Sequence, residues 1–164
     1  LASASLVPGV PPIEPDIARR VLARLVNTGR LQFLPGRPSI LIDGAHTRES
    51  AIAFAREVES RLAGRRRVLL ACIAQDKDLP AMIPALARVA PVVIATAVDP
   101  IRSRAPDALA ASFRAAGCEA EPIADPRRAF ERACELARPD GVVCATGSLY
   151  LAGQVMRLCG LDDA

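Results

Sequence analysis

From residue 39 onward the sequence alternates short apolar runs with amphipathic stretches, and this alternation restricts the possible folds more than any other feature. The apolar runs are nearly continuous in Val, Ile and Leu, which is typical of strands that are buried on both faces. The stretches between them repeat apolar residues at helical spacing. The alternation predicts an α/β fold, a three-layer sandwich in which helices cover both faces of a mostly parallel sheet of about six strands.

The first two predicted strands flank Pro35-Gly36, which predicts a hairpin and therefore one antiparallel strand in the sheet. Residues 1–14 are rich in Pro and predict an arm or linker, whereas 15–164 predict one domain. The predicted strands are 29–34, 39–43, 67–74, 91–97, 118–123 and 141–145, and the predicted helices are 15–26, 48–62, 79–89, 106–116, 127–137 and 148–158.

Four turns that follow predicted strands are polar, namely 43–47, 75–78, 99–104 and 146–148. The first of them contains Asp43 and the chain's only histidine, His46. Because right-handed crossovers place every strand-to-helix turn at the same edge of a parallel sheet, we expect the four turns to converge. α/β proteins usually bind ligands at this edge, so the turns predict a ligand site.

The residue types in these turns suit an anionic ligand. Asp43 could accept hydrogen bonds from ribose hydroxyls or hold metal-bound water, and His46 could donate to a phosphate or carboxylate. Lys77 and Arg104 would attract a carboxylate, and a helix that begins at Ser148 offers free backbone N–H groups. The alternative is that these residues only cap helices, pair with neighbouring acids and face solvent.

Composition excludes several classes of protein. The net charge is only +3 and aromatic residues make up 3% of the chain, which argues against a dedicated nucleic-acid surface. The apolar runs are too short to span a membrane, and nothing at the N-terminus resembles a secretion signal. Five cysteines without a CxxC pair, together with one histidine, argue against a zinc site. We expect these cysteines to be small buried residues in a reducing cytoplasm.

The sequence contains neither GxxxxGK[ST] nor GxGxxG, so an element that grips phosphates must come from elsewhere. Five short motifs nevertheless occur in an order that resembles the C-terminal domain of folylpolyglutamate synthase / dihydrofolate synthase, which are ATP-dependent Mur ligases. The resemblance covers roughly residues 15–158. The motifs are Gly29-Arg-Leu, Leu-Ile-Asp-Gly-Ala-His46, Gln75-Asp-Lys-Asp78, Ser103-Arg104 and Thr146-Gly-Ser-Leu-Tyr150.

The resemblance implies a Rossmann-like C-terminal domain that closes over a larger N-terminal ATPase domain absent from this chain. In the family that other domain carries the phosphate loop, the magnesium ligands and most of the folate or pteroate pocket. ATP and Mg²⁺ are therefore the implied cofactors, bound mainly outside this chain, and no metal ligand is expected within it. The implied protein is a cytoplasmic monomer, and the isolated chain is expected to be inactive. Because it begins with Leu1 instead of Met, we expect a fragment or a processed chain.

The implied reaction adds L-glutamate to dihydropteroate or folate through an acyl phosphate. By resemblance, Arg30 and Asp43 would contact the nucleotide, while His46, Lys77, Ser148 and Arg104 would bind glutamate. His46 and Asp43 are the implied catalytic residues.

The chain departs from the family pattern at three places. Thr47 follows the histidine where the family usually has Asn, Asn27-Thr28 replaces Trp-Pro, and Gln32 replaces Glu. Two alternatives stay open. The chain could be a standalone α/β module that binds a small anion or a partner without catalysis, or part of a Mur-type ligase for another amino acid.

Overall fold

The computed structural model describes Glu14, Asp16, Ile17 and residues 29–161. Apart from those first three residues, the predicted arm over 1–14 and the predicted helix over 15–26 lie outside the described residues. The strands are β1 (Gln32–Leu34), β2 (Ser39–Ile42), β3 (Arg67–Ala71), β4 (Val92–Ala95), β5 (Glu119–Pro122) and β6 (Val142–Thr146). Within residues 29–161 the helices are α1 (Arg48–Arg61), α2 (Leu79–Leu86), α3 (Pro106–Ala115), α4 (Pro126–Ala137) and α5 (Leu149–Leu158).

The six strands form one sheet in the order β1-β2-β6-β3-β4-β5. β1 pairs antiparallel with β2, as the hairpin predicts, and every other pair is parallel. β6 lies between β2 and β3, so the last of the described strands is central in the sheet. Central strands that are buried on both faces explain the continuous apolar runs in the sequence.

The sheet separates two hydrophobic clusters. Alternate strand residues point to opposite faces, so Leu69 and Cys144 belong to one cluster while Leu70 and Ala145 belong to the other. Helices α1, α2 and α3 complete the first cluster, and α4 and α5 complete the second. The predicted three-layer α/β sandwich is therefore confirmed.

Several boundaries differ from the predicted ones for local reasons. β1 begins at Gln32 because Gly29 and Leu31 have positive φ angles of 72° and 45° and cannot continue a strand. β3 ends at Ala71, and three residues later Ala74 forms an isolated bridge with Ser103 in the loop after β4. α4 begins at Pro126 because the Asp125 side chain caps it.

All five cysteines are free thiols, and Cys72, Cys118 and Cys144 are buried. Burial raises the pKa of the Cys144 thiol to about 12, so this residue acts as a small apolar group in the core. No helix among the described residues is long and apolar enough to cross a membrane.

Candidate functional site

Asp43 connects the first polar turn to the loop that carries Arg30. Its Oδ1 accepts a hydrogen bond from the Ala45 N–H at 2.7 Å, and its Oδ2 accepts one from the Leu31 N–H at 2.9 Å. The side chain is buried, at 7% relative exposure. Both carboxylate oxygens are thus used by the backbone, and they hold the exposed Arg30 at the carboxyl edge of the sheet.

His46 has one ring nitrogen fixed and one available. Its Nδ1 lies 2.8 Å from the carbonyl oxygen of Gly44. Because a carbonyl oxygen can only accept, Nδ1 carries the proton and Nε2 is the acceptor in the neutral ring. The residue is half-buried.

Thr47, which stands where the resembled family usually has Asn, is the N-cap of α1. Its Oγ1 accepts from the Ser50 N–H at 3.3 Å, and the Ser50 hydroxyl accepts in turn from the Thr47 N–H at 2.9 Å. Such a reciprocal capping box satisfies two free backbone donors at a helix start. The structural role of Thr47, next to His46, is therefore to cap α1.

The turn after β3 contributes a paired charge. The ammonium group of Lys77 lies 3.1 Å from Oδ2 of Asp76, and its hydrogen bond is the main reason that the pKa of this carboxyl lies below its usual value. The nearby His46 lowers the pKa of Asp76 a little further. Asp78 caps α2 by accepting from the Ala81 N–H at 3.2 Å. Lys77 is therefore the one side chain of this turn that presents a positive charge.

The two arginines of the loop after β4 have different contacts. Nη2 of Arg104 donates to the carbonyl oxygens of Gln75 at 3.1 Å and of Lys77 at 3.3 Å. Nη1 of Arg102 donates to the hydroxyl of Tyr150 at 3.0 Å. Arg104 thus holds the turn that carries Lys77, whereas Arg102 reaches across to the start of α5.

The start of α5 requires a glycine and a serine. Gly147 has a φ of 101°, and a Cβ atom there would lie 2.5 Å from the carbonyl oxygen of Cys72. Ser148 is buried at 8% exposure and accepts from the Tyr150 N–H at 3.1 Å, so it caps the helix as predicted. Gly44 in turn leaves room for Leu149, so the Asp43–His46 turn packs directly against the first residue of α5.

Two adjoining depressions lie at this edge of the sheet. The first, called here the arginine cavity, has a volume of about 440 Å³ and is lined by Lys77, Arg102, Ser148 and Tyr150, among others. The second, the histidine groove, measures about 310 Å³ and includes His46 and Asp78 in its lining. Asp76 and Lys77 line both. The Asp76–Lys77 pair therefore forms the wall between them.

Only some of the predicted site residues line these depressions. It brings Lys77 together with Ser148 in the arginine cavity and with His46 in the histidine groove. Arg30, Asp43 and Arg104 line neither depression, and two of them hold loops in place instead.

The sequence prediction missed Arg102 and Tyr150 as lining residues. The turn over 99–104 pointed to a cation but did not show which arginine faces the cavity. Tyr150 was visible only as part of the Thr146-Gly-Ser-Leu-Tyr150 motif. Among residues 29–161 and the three described before them, no group of three or more His, Cys, Asp or Glu side chains could hold a metal ion.

Comparison with known proteins gives a family and several structural relatives. The family model described as Mur ligase, glutamate ligase domain, matches residues 29–149. A Haloferax volcanii protein named as a probable bifunctional folylpolyglutamate synthase/dihydropteroate synthase is 29% identical over 145 residues, which is 88% of this chain and 17% of that protein.

Two crystal structures of folylpolyglutamate synthases share the fold. The Mycobacterium tuberculosis enzyme, complexed with ADP and AMPPCP, has a TM-score of 0.83 and 27% identity, and the match covers 93% of this chain and 36% of that one. The Thermotoga maritima enzyme has a TM-score of 0.73 and 25% identity, with 90% and 34% covered. This chain therefore spans only about a third of the length of these enzymes. Since the family model matches most of its residues, the chain belongs to the family of Mur ligase glutamate ligase domains.

Proposed function

We propose that this chain is the C-terminal, glutamate-binding part of an ATP-dependent amide ligase of the folylpolyglutamate synthase / dihydrofolate synthase type. The observation that carries the proposal is the position of Lys77, on the wall between two depressions at the carboxyl edge of a glutamate ligase domain. The solved relatives support it, because they carry this fold as about a third of a longer folylpolyglutamate synthase.

The proposed reaction has two steps. A carboxylate oxygen of dihydropteroate or folate attacks the γ-phosphorus of ATP, and ADP leaves, which gives an acyl phosphate. The deprotonated amino nitrogen of glutamate then attacks the acyl carbon and gives up one more proton, and inorganic phosphate leaves with the electrons of the broken C–O bond. Because this second step joins two separate molecules, correct positioning of the amine accounts for much of the rate.

His46 and Lys77 have the geometry to position glutamate. In the tautomer fixed by Gly44, Nε2 of His46 is an acceptor, which suits a hydrogen of the glutamate amino group. Lys77 supplies a positive charge for a carboxylate, and the capped start of α5 at Ser148 adds oriented N–H groups. Arg104 contributes by holding the carbonyl oxygens of the turn that carries Lys77.

Arg30 and Asp43 belong to the nucleotide side of the proposed site. Arg30 is exposed and would reach the phosphates of ATP across the cleft between domains. Asp43 keeps this loop in place and, through its remaining lone pairs, would meet the nucleotide. Mg²⁺, which would neutralise charge on the transferred phosphate, does not fit any cluster among the described residues, so the proposal assigns it to the other domain.

The test uses the complete polypeptide that carries this chain. We expect phosphate release that requires ATP, L-glutamate and either dihydropteroate or a reduced folate together. Turnover with a different amino acid, and none with glutamate, would show a Mur-type ligase of other specificity.

A second measurement tests whether another domain is needed for tight substrate binding and for turnover. Isothermal titration of the 164-residue chain with ATP or glutamate should give only weak binding, and the chain alone should not turn over. Full ligase activity by the chain alone would contradict the proposal that a second domain supplies the phosphate-binding part.

A further inference from the structure

We propose that Arg102, together with Tyr150, binds the side-chain carboxylate of the incoming amino acid and thereby selects glutamate over uncharged analogues. The inference rests on the proposed function and adds a specificity residue to it. It depends on the contacts of Arg102, the rigidity of its loop and the balance of charge in the arginine cavity.

Arg102 lies in the lining of the arginine cavity with most of its hydrogen-bonding capacity unused. A guanidinium carries five N–H donors, and here Nη1 donates to Tyr150 at 3.0 Å. Nε lies 3.9 Å from Oδ2 of Asp99, which is too long for a hydrogen bond. The side chain is 68% exposed, so its remaining donors are accessible to a ligand carboxylate.

Tyr150 completes the proposed contact. Its hydroxyl oxygen accepts from Arg102, so its own O–H is left to donate. A carboxylate has two oxygens, and an arginine N–H beside a tyrosine O–H offers one donor to each. The pair joins two separate parts of the cavity wall, the loop after β4 and the start of α5.

The backbone around Arg102 is held firmly, which favours a recognition role over a mobile surface charge. Its N–H donates to Oδ1 of Asp99 at 3.1 Å, and its carbonyl oxygen accepts from the Gln75 N–H at 2.8 Å. The Gln75 side chain also donates to the carbonyl oxygens of Ile101 at 3.2 Å and Ser103 at 3.1 Å. Fixing both sides of a residue in this way reduces the entropy lost when its side chain binds a ligand.

Charge balance separates Arg102 from the other cations nearby. Lys77 is paired with Asp76 at 3.1 Å, and Arg104 donates to two carbonyl oxygens. Arg104 is not part of the cavity lining, and of the two cations that are, Arg102 has the less compensated positive charge, since Asp99 is farther from it than Asp76 is from Lys77. An additional carboxylate in the cavity is therefore attracted more strongly to Arg102 than to Lys77.

Glutamate has one polar group for each of the three side chains that the proposal assigns to it. Its amino group must face the acyl phosphate, and the proposed acceptor for that group, His46, lines the histidine groove. Lys77 on the shared wall lies next to the α-carboxylate in this orientation. The side chain then points into the arginine cavity, where its carboxylate meets Arg102 and Tyr150.

The experiment compares two amino acids in the complete polypeptide that carries this chain. The values of kcat/KM for L-glutamate and L-glutamine are measured for the unchanged protein, Arg102→Gln, Tyr150→Phe and the control Arg56→Gln, whose side chain is exposed on α1. If glutamine turns over too slowly, its inhibition constant against glutamate replaces its kcat/KM.

Arg102→Gln should lower kcat/KM for glutamate by about tenfold to hundredfold, as expected for a lost hydrogen bond to a charged group. The value for glutamine should change by less than about twofold, because an amide gains little from the guanidinium charge. Tyr150→Phe should have a smaller effect in the same direction, and Arg56→Gln should have none.

An equal fall for both amino acids, or no change for either, would overturn the assignment of Arg102 while leaving the ligase proposal intact. Absence of glutamate-dependent phosphate release from the unchanged protein would overturn the proposed function and this inference with it.

Discussion

Asp43 illustrates how a polar residue at a strand end can serve the fold and the site together. By resemblance Asp43 would contact the nucleotide, and in the structure both of its oxygens accept hydrogen bonds from backbone N–H groups. Buried acceptors of this kind are costly to lose, because the donors that they satisfy have no water to replace them. Asp43 therefore has a measurable structural contribution that can be separated from any effect on catalysis.

Asp43→Asn should lower the free energy of unfolding by about 1–3 kcal/mol, since an amide NH₂ would face one of the two backbone donors. Urea denaturation of the 164-residue chain measures this change. Asp107→Asn is the matched control, because Asp107 is exposed in the first turn of α3 and should cost less than about 1 kcal/mol. Equal effects of the two substitutions would show that the buried hydrogen bonds of Asp43 contribute little.

His46→Ala should impair activity and leave stability nearly unchanged. The imidazole is half-buried and has one hydrogen bond, to Gly44, so the melting temperature should change little. In the complete polypeptide, the KM for glutamate should rise at least tenfold or turnover should collapse, because Nε2 would no longer orient the amine. A much lower melting temperature with unchanged kinetics would make His46 a structural residue.

At the scale of elements, the position of α5 depends on the turn that precedes it. Gly147 passes close to the backbone of Cys72 in the loop after β3, and Leu149 packs over Gly44. α5 is therefore held by the Asp43–His46 turn and by the first residues of the loop after β3, the loop that also carries Lys77. This packing explains why the turn contains a glycine before the capping serine.

Two glycine substitutions test this packing. Gly117→Ala should destabilise the protein by about 1–2 kcal/mol, because its φ of 88° disfavours a side chain while the space around it is open. Gly147→Ala combines a φ of 101° with a collision against the Cys72 carbonyl, so it should cost at least about 3 kcal/mol. Thermal or urea unfolding measures both. Equal losses would mean that the loop after β3 can move to make room.

At the scale of the whole molecule, the buried thiols make the free energy of unfolding depend on pH in the alkaline range. Burial raises the pKa of the Cys144 thiol in the folded protein from its ordinary value of 9.0 to about 12. Burial likewise raises the pKa of Cys134 to about 11. Because the folded pKa is raised, this stabilisation is complete below pH 9 and is lost as the pH rises from there toward 12.

The free energy of unfolding should therefore fall between pH 8 and pH 10.5, and it should fall less in Cys144→Ala, which removes one titrating thiol. Urea denaturation at both pH values measures the difference. Val143→Ala is the control, since it also shortens a fully buried side chain of β6 but leaves every thiol in place. The same fall in Cys144→Ala and Val143→Ala would contradict a role for this thiol.

Most of the sheet could be predicted from the sequence, because buried strands and amphipathic helices have different periodicities. The antiparallel β1 followed from Pro35-Gly36, and the convergence of polar turns followed from the handedness of crossovers. The boundary at Gln32 could not be predicted, since it depends on a positive φ at Leu31, an unusual conformation for a branched residue.

The site was less predictable than the fold. Two arginines lie two positions apart in one loop, and only the tertiary contacts show that Arg104 turns inward to carbonyl oxygens while Arg102 reaches Tyr150. The division into two depressions likewise depends on where the Asp76–Lys77 pair stands. These contacts depend on packing between segments that are distant in the sequence. Neither hydrophobic periodicity nor the order of the motifs predicts such packing.

The reversed direction of β1 has a consequence for how a longer chain would work. Since β1 runs antiparallel to its neighbour, its first residue lies at the carboxyl edge of the sheet, close to Asp43. The chain therefore enters the described part of the structure at the edge where the substrates would meet. A domain joined there by a short flexible linker would meet this edge at an effective concentration of about the millimolar range. Encounter between the two domains would then need no broad permanent interface, and the cleft could open for product release without the domains separating.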